Sequence, residues 1–237
     1  MKVKLVSYTK SAEDLREEGV ETLQDLVAFC AKVSNPSNQI NKKTSDKLIK
    51  YLIKHAHWSP LEMVDATLEI ETTRDIAHQI VRHRSFSFQE FSQRYAEPKE
   101  MGEWFVKREC RLQDPKNRQN SIAIENDPSL VQNQKHQDLI SEWGRMQSGV
   151  IEASRKAYNW AIENGIAKEQ ARVLLPEGLT KTRLYMKGSL RSWLHYIALR
   201  SANGTQKEHM EIAKECAVSI SAIFPMIWDL NLSLIHI

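Results

Sequence analysis

Between Val64 and Tyr95 the apolar residues change their spacing twice, and this switching constrains the fold more than any other feature of the chain. Val64, Ala66, Leu68 and Ile70 alternate with Asp65, Thr67, Glu69 and Glu71, the pattern of a strand with one buried face. Thr73 then stands where a helix cap belongs, and Ile76, Ala77, Ile80 and Val81 recur at helical spacing. That helix would carry Gln79, Arg82 and His83 on a neighbouring polar side, three and four residues apart, within reach of one ligand. Beyond Arg84 a period of two returns. An extended backbone there would send Glu90, Ser92 and Arg94 to one side and Phe91, Gln93 and Tyr95 to the other.

The flanking segments fill in the class. MKVKLVSYTK alternates like a strand and lacks the continuous apolar run of a signal peptide. Val20, Leu23, Leu26, Val27, Cys30 and Val33 predict one amphipathic helix; Leu48, Ile49, Leu52 and Ile53 predict a second, capped at Thr44 or Ser45. Further on, a long helix is expected over most of Leu139 to Asn164, stopped by Gly165, and a shorter one over Ala167 to Leu175 before Pro176. Thr180 to Lys187 predicts a strand, Ser189 a cap for a helix bearing Leu190, Leu194 and Ile197, and Lys207 to Phe224 a last helix ending near Pro225. Asp114 to Asn133 is a polar interval suited to an exposed loop or insertion, and no role is assigned to the apolar C-terminal LSLIHI. Helices at both ends with strands between them predict an α+β fold, a single domain over residues 1–237 with a central, mostly antiparallel sheet flanked by helices. A GxGxxG turn is absent, which speaks against a Rossmann domain.

Charge and cysteine usage narrow the function classes. A net charge of +3 over 237 residues does not suit a general polyanion binder. Cys30, Cys110 and Cys216 are too scattered for a disulfide framework or zinc ribbon, which fits a reducing cytoplasm; Cys30 and Cys216 read as core and Cys110 as the one in a polar setting. Nothing in the sequence spans a membrane. His55 and His57 form a short pair, but neither HExxH nor Cys/His spacing accompanies them, so no metal is expected. Ser85, Ser87 and Ser92 lack a GxSxG elbow and are better read as hydrogen-bonding groups.

The chemistry concentrates in Arg82 to Tyr95, RHRSFSFQEFSQRY, where Arg82, Arg84 and Arg94 beside Glu90 suit planar recognition of a phosphate, a carboxylate or a polar ring edge. A solvated surface turn with an incidental ion pair is the competing structural account. Arg172 and Arg200 sit in otherwise apolar helical surroundings, ARVLLP and HYIALR, and there require partners, either buried carboxylates or a ligand. A nucleic-acid module, with Phe86, Phe88 and Phe91 stacking on bases and Arg82 and Arg84 on phosphates, is the alternative from another class, although no RNP-type signature supports it.

Arg82, His83 and Arg84 followed by Ser92, extended by Glu90, Arg94 and Tyr95, resemble the signature of flavin-dependent thymidylate synthases. AKVSNP, HAHWSPLE, QARVLLP and GSLRSWLHYIALR resemble further blocks of that family in the expected order. The resemblance implies an α+β homotetramer with active sites shared between subunits, making dTMP from dUMP with 5,10-methylenetetrahydrofolate as carbon donor and FAD reduced by NADPH. It implies FAD contacts from Ser34, His57, Ser59, Arg82, His83, Arg84, Glu90, Ser189, Leu190, Arg191 and His195. For dUMP it implies Gln79, Arg82, Glu90, Ser92, Arg94, Arg172 and Arg200, with Arg200 as the catalytic residue that polarises the uracil. Met63, Ser189 and His195 depart from the family pattern, where His, Asn and Asn are common.

Overall fold

The computed structural model describes residues 2–125 and 127–229, so the C-terminal LSLIHI lies outside the described residues. In chain order the elements are β1 (Lys2–Tyr8), α1 (Glu13–Glu17), α2 (Leu23–Ala31), α3 (Ser45–Lys54), β2 (Asp65–Thr73), α4 (Arg74–Ile80) and β3 (Ser87–Glu90). They continue with β4 (Arg111–Gln113), β5 (Ser121–Ala123), α5 (Pro128–Val131), α6 (Gln134–Glu163), α7 (Lys168–Ala171), β6 (Lys181–Ser189), α8 (Leu190–Arg200) and α9 (Lys207–Ser221). The main sheet is antiparallel throughout, in the order β1-β2-β6-β3, and β4 and β5 form a separate hairpin.

The alternation in β2 sorts its two faces as expected. Ala66, Leu68 and Ile70 are buried, and the register sets Leu68 opposite Met186 and Ile70 opposite Leu184, so the apolar side chains of β2 and β6 form one wall. Burying each such aliphatic side chain stabilises by ~1.5–3 kcal/mol. Trp193, Leu194 and Ile197 of α8 and Ile212, Ala213, Cys216 and Ala217 of α9 pack in the same core. The other face carries cross-strand polar pairs, Glu71 with Arg183 and Asp65 with Lys187. A smaller core joins Tyr158 and Ala161 of α6 to Trp104, Phe105 and Ala171.

Gly188 is dictated by packing. A Cβ there would come within 2.4 Å of the Phe86 ring, which itself stands edge-on to Trp193 with centroids 4.8 Å apart. The residue that enters β3 is thereby pinned to the end of β6.

Several expectations need correcting. The second period-two stretch is a strand only to Glu90; the Tyr95 and Ala96 N–H groups both donate to the Ser92 carbonyl, so the chain turns and Gln93 is buried while Arg94 and Tyr95 are exposed. Tyr95 and Gln93 therefore do not share a face. Thr44 and Thr73 occupy cap positions without side-chain cap bonds, and the Thr73 hydroxyl donates to Asp75 instead. Val33 lies beyond the end of α2 and is exposed, and Cys30 is half-buried at the core's edge. Cys110 is buried, although Glu109 and Arg111 flank it and line one cleft with it. The polar interval holds β5 and α5 and is not a bare loop. A short helix, α1, precedes the two that periodicity marks. Among the described residues no helix is long and apolar enough to cross a membrane.

Candidate active site

The expected site residues fall into three groups. The first is a half-buried hub where α4, α8 and α9 meet. Arg200, on the last turn of α8, donates its Nε–H to His83 Nε2 at 2.8 Å, while its outer guanidinium nitrogens have no partner among the described residues. Burial pushes the His83 pKa down to about 4, helped by the charges of Arg200 and Arg82, so the ring is neutral near pH 7 and can accept that bond. His83 also stands edge-on to Tyr196, centroids 4.9 Å apart. Gln79 turns inward as well, with its Oε1 3.2 Å from His209 Nδ1 and its Nε2 donating to Gln206 Oε1 at 2.7 Å. Arg82 is exposed at the exit of α4, near enough for its charge to act on His83.

The second group runs along the outer side of α8. Ser189 caps the helix, its hydroxyl accepting from the Ser192 N–H, and the Ser192 hydroxyl donates to the Ser85 carbonyl. Arg191 pairs with Glu62 in the 3-10 turn Ser59–Glu62. One turn on, His195 meets the edge of Trp58, centroids 4.4 Å apart, and burial followed by the Arg191 charge lowers its pKa. Ser59 is exposed beside this row. Leu190 serves the fold: its side chain is in the core and its N–H donates to the Val64 carbonyl. Arg84 is exposed after His83, Ser34 is exposed on the turn after α2, and His57 is exposed after α3.

The third group surrounds an open cleft of about 490 Å³ lined by Arg74, Gln93, Glu169 and Arg172, among others. Glu90 accepts from Arg74 at 3.2 Å and from the Thr182 hydroxyl at 2.8 Å. Arg94 lies 3.6 Å from Glu169 across an exposed gap, and Ser92 forms the turn before it. Arg172 does not need the buried partner its apolar neighbours suggested. α7 passes there into a 3-10 turn that exposes Arg172 together with Val173, which is 80% exposed. Thr182, which binds Glu90, and Ser189 are seven residues apart on β6, or ~23 Å at ~3.3 Å per residue.

Sequence reasoning missed the support beneath the hub. Glu208 and His209 are buried at the start of α9. Arg111 donates to Glu208 at 2.7 Å, and Arg108 Nη1 lies 3.0 Å from the same carboxylate, near enough for charge but not aligned as a hydrogen bond. Arg108 also donates to Asp75 at 2.8 Å. A partial signal was present in the three-residue spacing of Gln206 and His209 at the start of a helix, but nothing local shows which carboxylate a distant arginine will meet. A larger cleft of about 1090 Å³, between the β4–β5 hairpin and α6, is lined by none of the expected site residues.

Comparison with known proteins gives this arrangement a family. The thymidylate synthase complementing protein family matches residues 17–226. A probable flavin-dependent thymidylate synthase of Paramecium bursaria Chlorella virus 1 is 46% identical over 96% of this chain and 97% of its own length. A flavin-dependent thymidylate synthase of Synechocystis is 45% identical, again over 96% and 97% of the two chains. Among solved structures, the UMP/dUMP methylase PolB of Streptomyces cacaoi, bound with 5-Br dUMP, shares the fold at a TM-score of 0.76 and 22% identity, over 98% of this chain and 95% of that one. With its signature, its full-length relatives and its fold in agreement, the chain belongs to the flavin-dependent thymidylate synthase, or thymidylate synthase complementing protein, family and is an enzyme of that class.

Proposed function

We propose that the protein makes dTMP from dUMP by reductive methylation, with 5,10-methylenetetrahydrofolate as carbon donor and FAD reduced by NADPH. The observation that carries this reading is Arg200: half-buried, held at Nε by a neutral imidazole, with its outer fork open to a ligand. Such a fixed cation favours the N3-ionised uracil and raises electron density at C5, and it requires no reorganisation as charge develops. Flavin, when bound, supplies the electrons for reducing the transferred one-carbon unit.

The donor set suits that cofactor. Arg82 and Arg84 are exposed and have no ion-pair partner among the described residues, which fits a pyrophosphate, and Ser59, Arg191 and His195 add polar groups along α8. Gln79 and Arg200 face the base, and Arg94 and Arg172 supply charge for the phosphate. No thiol competes for the nucleophile's part. Burial raises the pKa of Cys30 and of Cys110, where Glu125 adds to it, and raises that of Cys216 furthest. The base-stacking alternative loses a ring, because Phe86 is buried against Trp193.

The separation of the α8 row from the Arg172 cleft supports a site completed by another copy, in the homotetramer the family resemblance implies. Tyr95 at 77% exposed and Val173 at 80% leave apolar surface beside Arg94 and Arg172 that a neighbouring subunit would cover.

The test is dTMP formation from dUMP, methylenetetrahydrofolate and NADPH at low oxygen, with and without FAD. FAD-dependent product is expected. None from folded, FAD-loaded protein would instead indicate a flavin- or nucleotide-binding protein without methyl transfer.

A further inference from the structure

Beneath Arg200 runs a line of side-chain hydrogen bonds whose direction is fixed at one end. Burial pushes the Glu208 carboxyl up, but the hydrogen bond from Arg111 and the charges of Arg108 and Arg111 outweigh it and hold the pKa at about 2. An ionised carboxylate only accepts. Gln206, 3.0 Å from Glu208 Oε2, must therefore present its amide nitrogen there, which turns its oxygen toward Gln79. Gln79 must answer with its own nitrogen, 2.7 Å away, and so directs its oxygen at His209 Nδ1, 3.2 Å distant. Nδ1 then carries the ring proton, and Nε2 accepts from the Tyr196 hydroxyl at 3.1 Å.

Every link dictates the next, and reversing either amide would set oxygen against oxygen or nitrogen against nitrogen. A buried histidine with both nitrogens engaged is often no more than a satisfied core residue. This one ends on the carboxamide of Gln79, which reaches from the core to the nucleotide side of the hub, and its ring lies 6.3 Å from that of His83, the anchor of Arg200. His209 is 0% exposed, and an aliphatic residue would fill the same place without the cost of desolvating two ring nitrogens.

We propose that His209 is a positioning residue: by donating to the Gln79 oxygen, whose direction Gln206 and Glu208 set, it holds the Gln79 carboxamide in place at the edge of the nucleotide base. The proposal rests on the reading that Gln79 faces dUMP.

The test is a double-mutant cycle in the full-length, FAD-loaded protein, reading the dUMP dissociation constant, kcat and Tm. His209→Leu is expected to weaken dUMP about ten-fold, one hydrogen bond's worth of orientation, with kcat changed less than about three-fold. His209→Asn, whose amide nitrogen can stand where Nδ1 does, restores most of the affinity. In a Gln79→Ala background His209→Leu adds nothing further, because the partner through which it acts is gone. Should His209→Leu fail to fold, Tyr196→Phe releases the ring from its other side and is expected to weaken dUMP about two- to three-fold. Equal losses of Tm in the Leu and Asn variants with dUMP affinity unchanged would overturn the proposal alone. Absence of dUMP binding by the unaltered, FAD-loaded protein would overturn both this and the functional reading.

Discussion

The hub around Arg200 and the cleft around Arg172 both offer arginines to a ligand, yet they are built in opposite ways. In the hub, Arg200 is bonded to His83, Gln79 and Tyr196 are both bonded to His209, Tyr196 stands edge-on to His83, and the supporting carboxylate Glu208 is itself held by Arg111. In the cleft, Arg172 is exposed without an ion-pair partner among the described residues, and Arg94 reaches Glu169 only at 3.6 Å between two half-exposed side chains. An ion pair so exposed contributes little. The catalytic role proposed for the hub calls for geometry fixed before substrate arrives, and one chain supplies such fixed geometry there. Charge for binding can be completed later, by a ligand or a second copy, and the cleft has that character.

The largest expected effect breaks the hub itself. Arg200→Ala should lower dTMP formation by ~10²–10³-fold, the usual loss when one preorganised charge is removed, while FAD still binds and colours the protein. Near-normal turnover would take the catalytic role from Arg200. Arg200→Lys should recover little, because a point ammonium cannot hold His83 at Nε and face the base with a planar fork at once.

Protonation should separate the two regions next. Burial lowers His209 from 6.5 to about 3, helped by the charges of Arg200 and His83, and lowers His83 from 6.5 to about 4. Both folded values lie below the unfolded one, so neutrality of these rings contributes stability that is complete above pH 6.5 and is lost as pH falls through about 4 and then about 3. Glu208, held at about 2 against 4.5, adds a loss that begins below pH 4.5. Tm should be level from pH 8 to 6.5 and decline below that range, and His209→Asn should flatten the first part of the decline. An identical profile in the variant would place the acid sensitivity elsewhere.

The cleft answers differently. Arg172→Ala should leave Tm within about 1 °C, since the side chain is exposed and unpaired, and should raise the dUMP KM about ten-fold, the worth of one charge-assisted contact to phosphate. A variant with altered Tm and unaltered KM would make Arg172 a structural residue.

How much was legible in the sequence follows the same division. The Val64–Ile70 alternation and the Ser189 cap located β2 and the start of α8 because both are local, each written in a few adjacent residues. The extended reading of Phe91 to Tyr95 failed because a period of two persists in a short segment whatever the backbone does, and here the Ser92 carbonyl closes a turn. Family resemblance singles out both Arg200 and His83. Their contact was not legible, because it joins residues 117 positions apart. Arg172 misled because an apolar neighbourhood in sequence implies burial only if the segment packs against its own chain, and Val173 does not.

A segment with its hydrogen bonds made can still be strained, and the end of α3 is the clearest instance. The His57 N–H donates to the Leu52 carbonyl at 2.8 Å and the Ala56 N–H to Ile53 at 3.1 Å, the paired bonds of a Schellman cap. That cap needs a left-handed residue, and Ala56 takes it with φ of 56° despite its Cβ. Glycine would adopt the same conformation freely, at the cost of more unfolded-state entropy, so Ala56→Gly should stabilise by about 1 kcal/mol net and raise Tm by ~2–4 °C. Turnover decides whether the strain matters beyond stability. Unchanged kcat with a higher Tm makes Ala56 a simple imperfection of the cap. A fall in kcat alongside the higher Tm would mean that the stiff turn holds His57 in place, and would add the α3 end to the parts of the site that one chain completes alone.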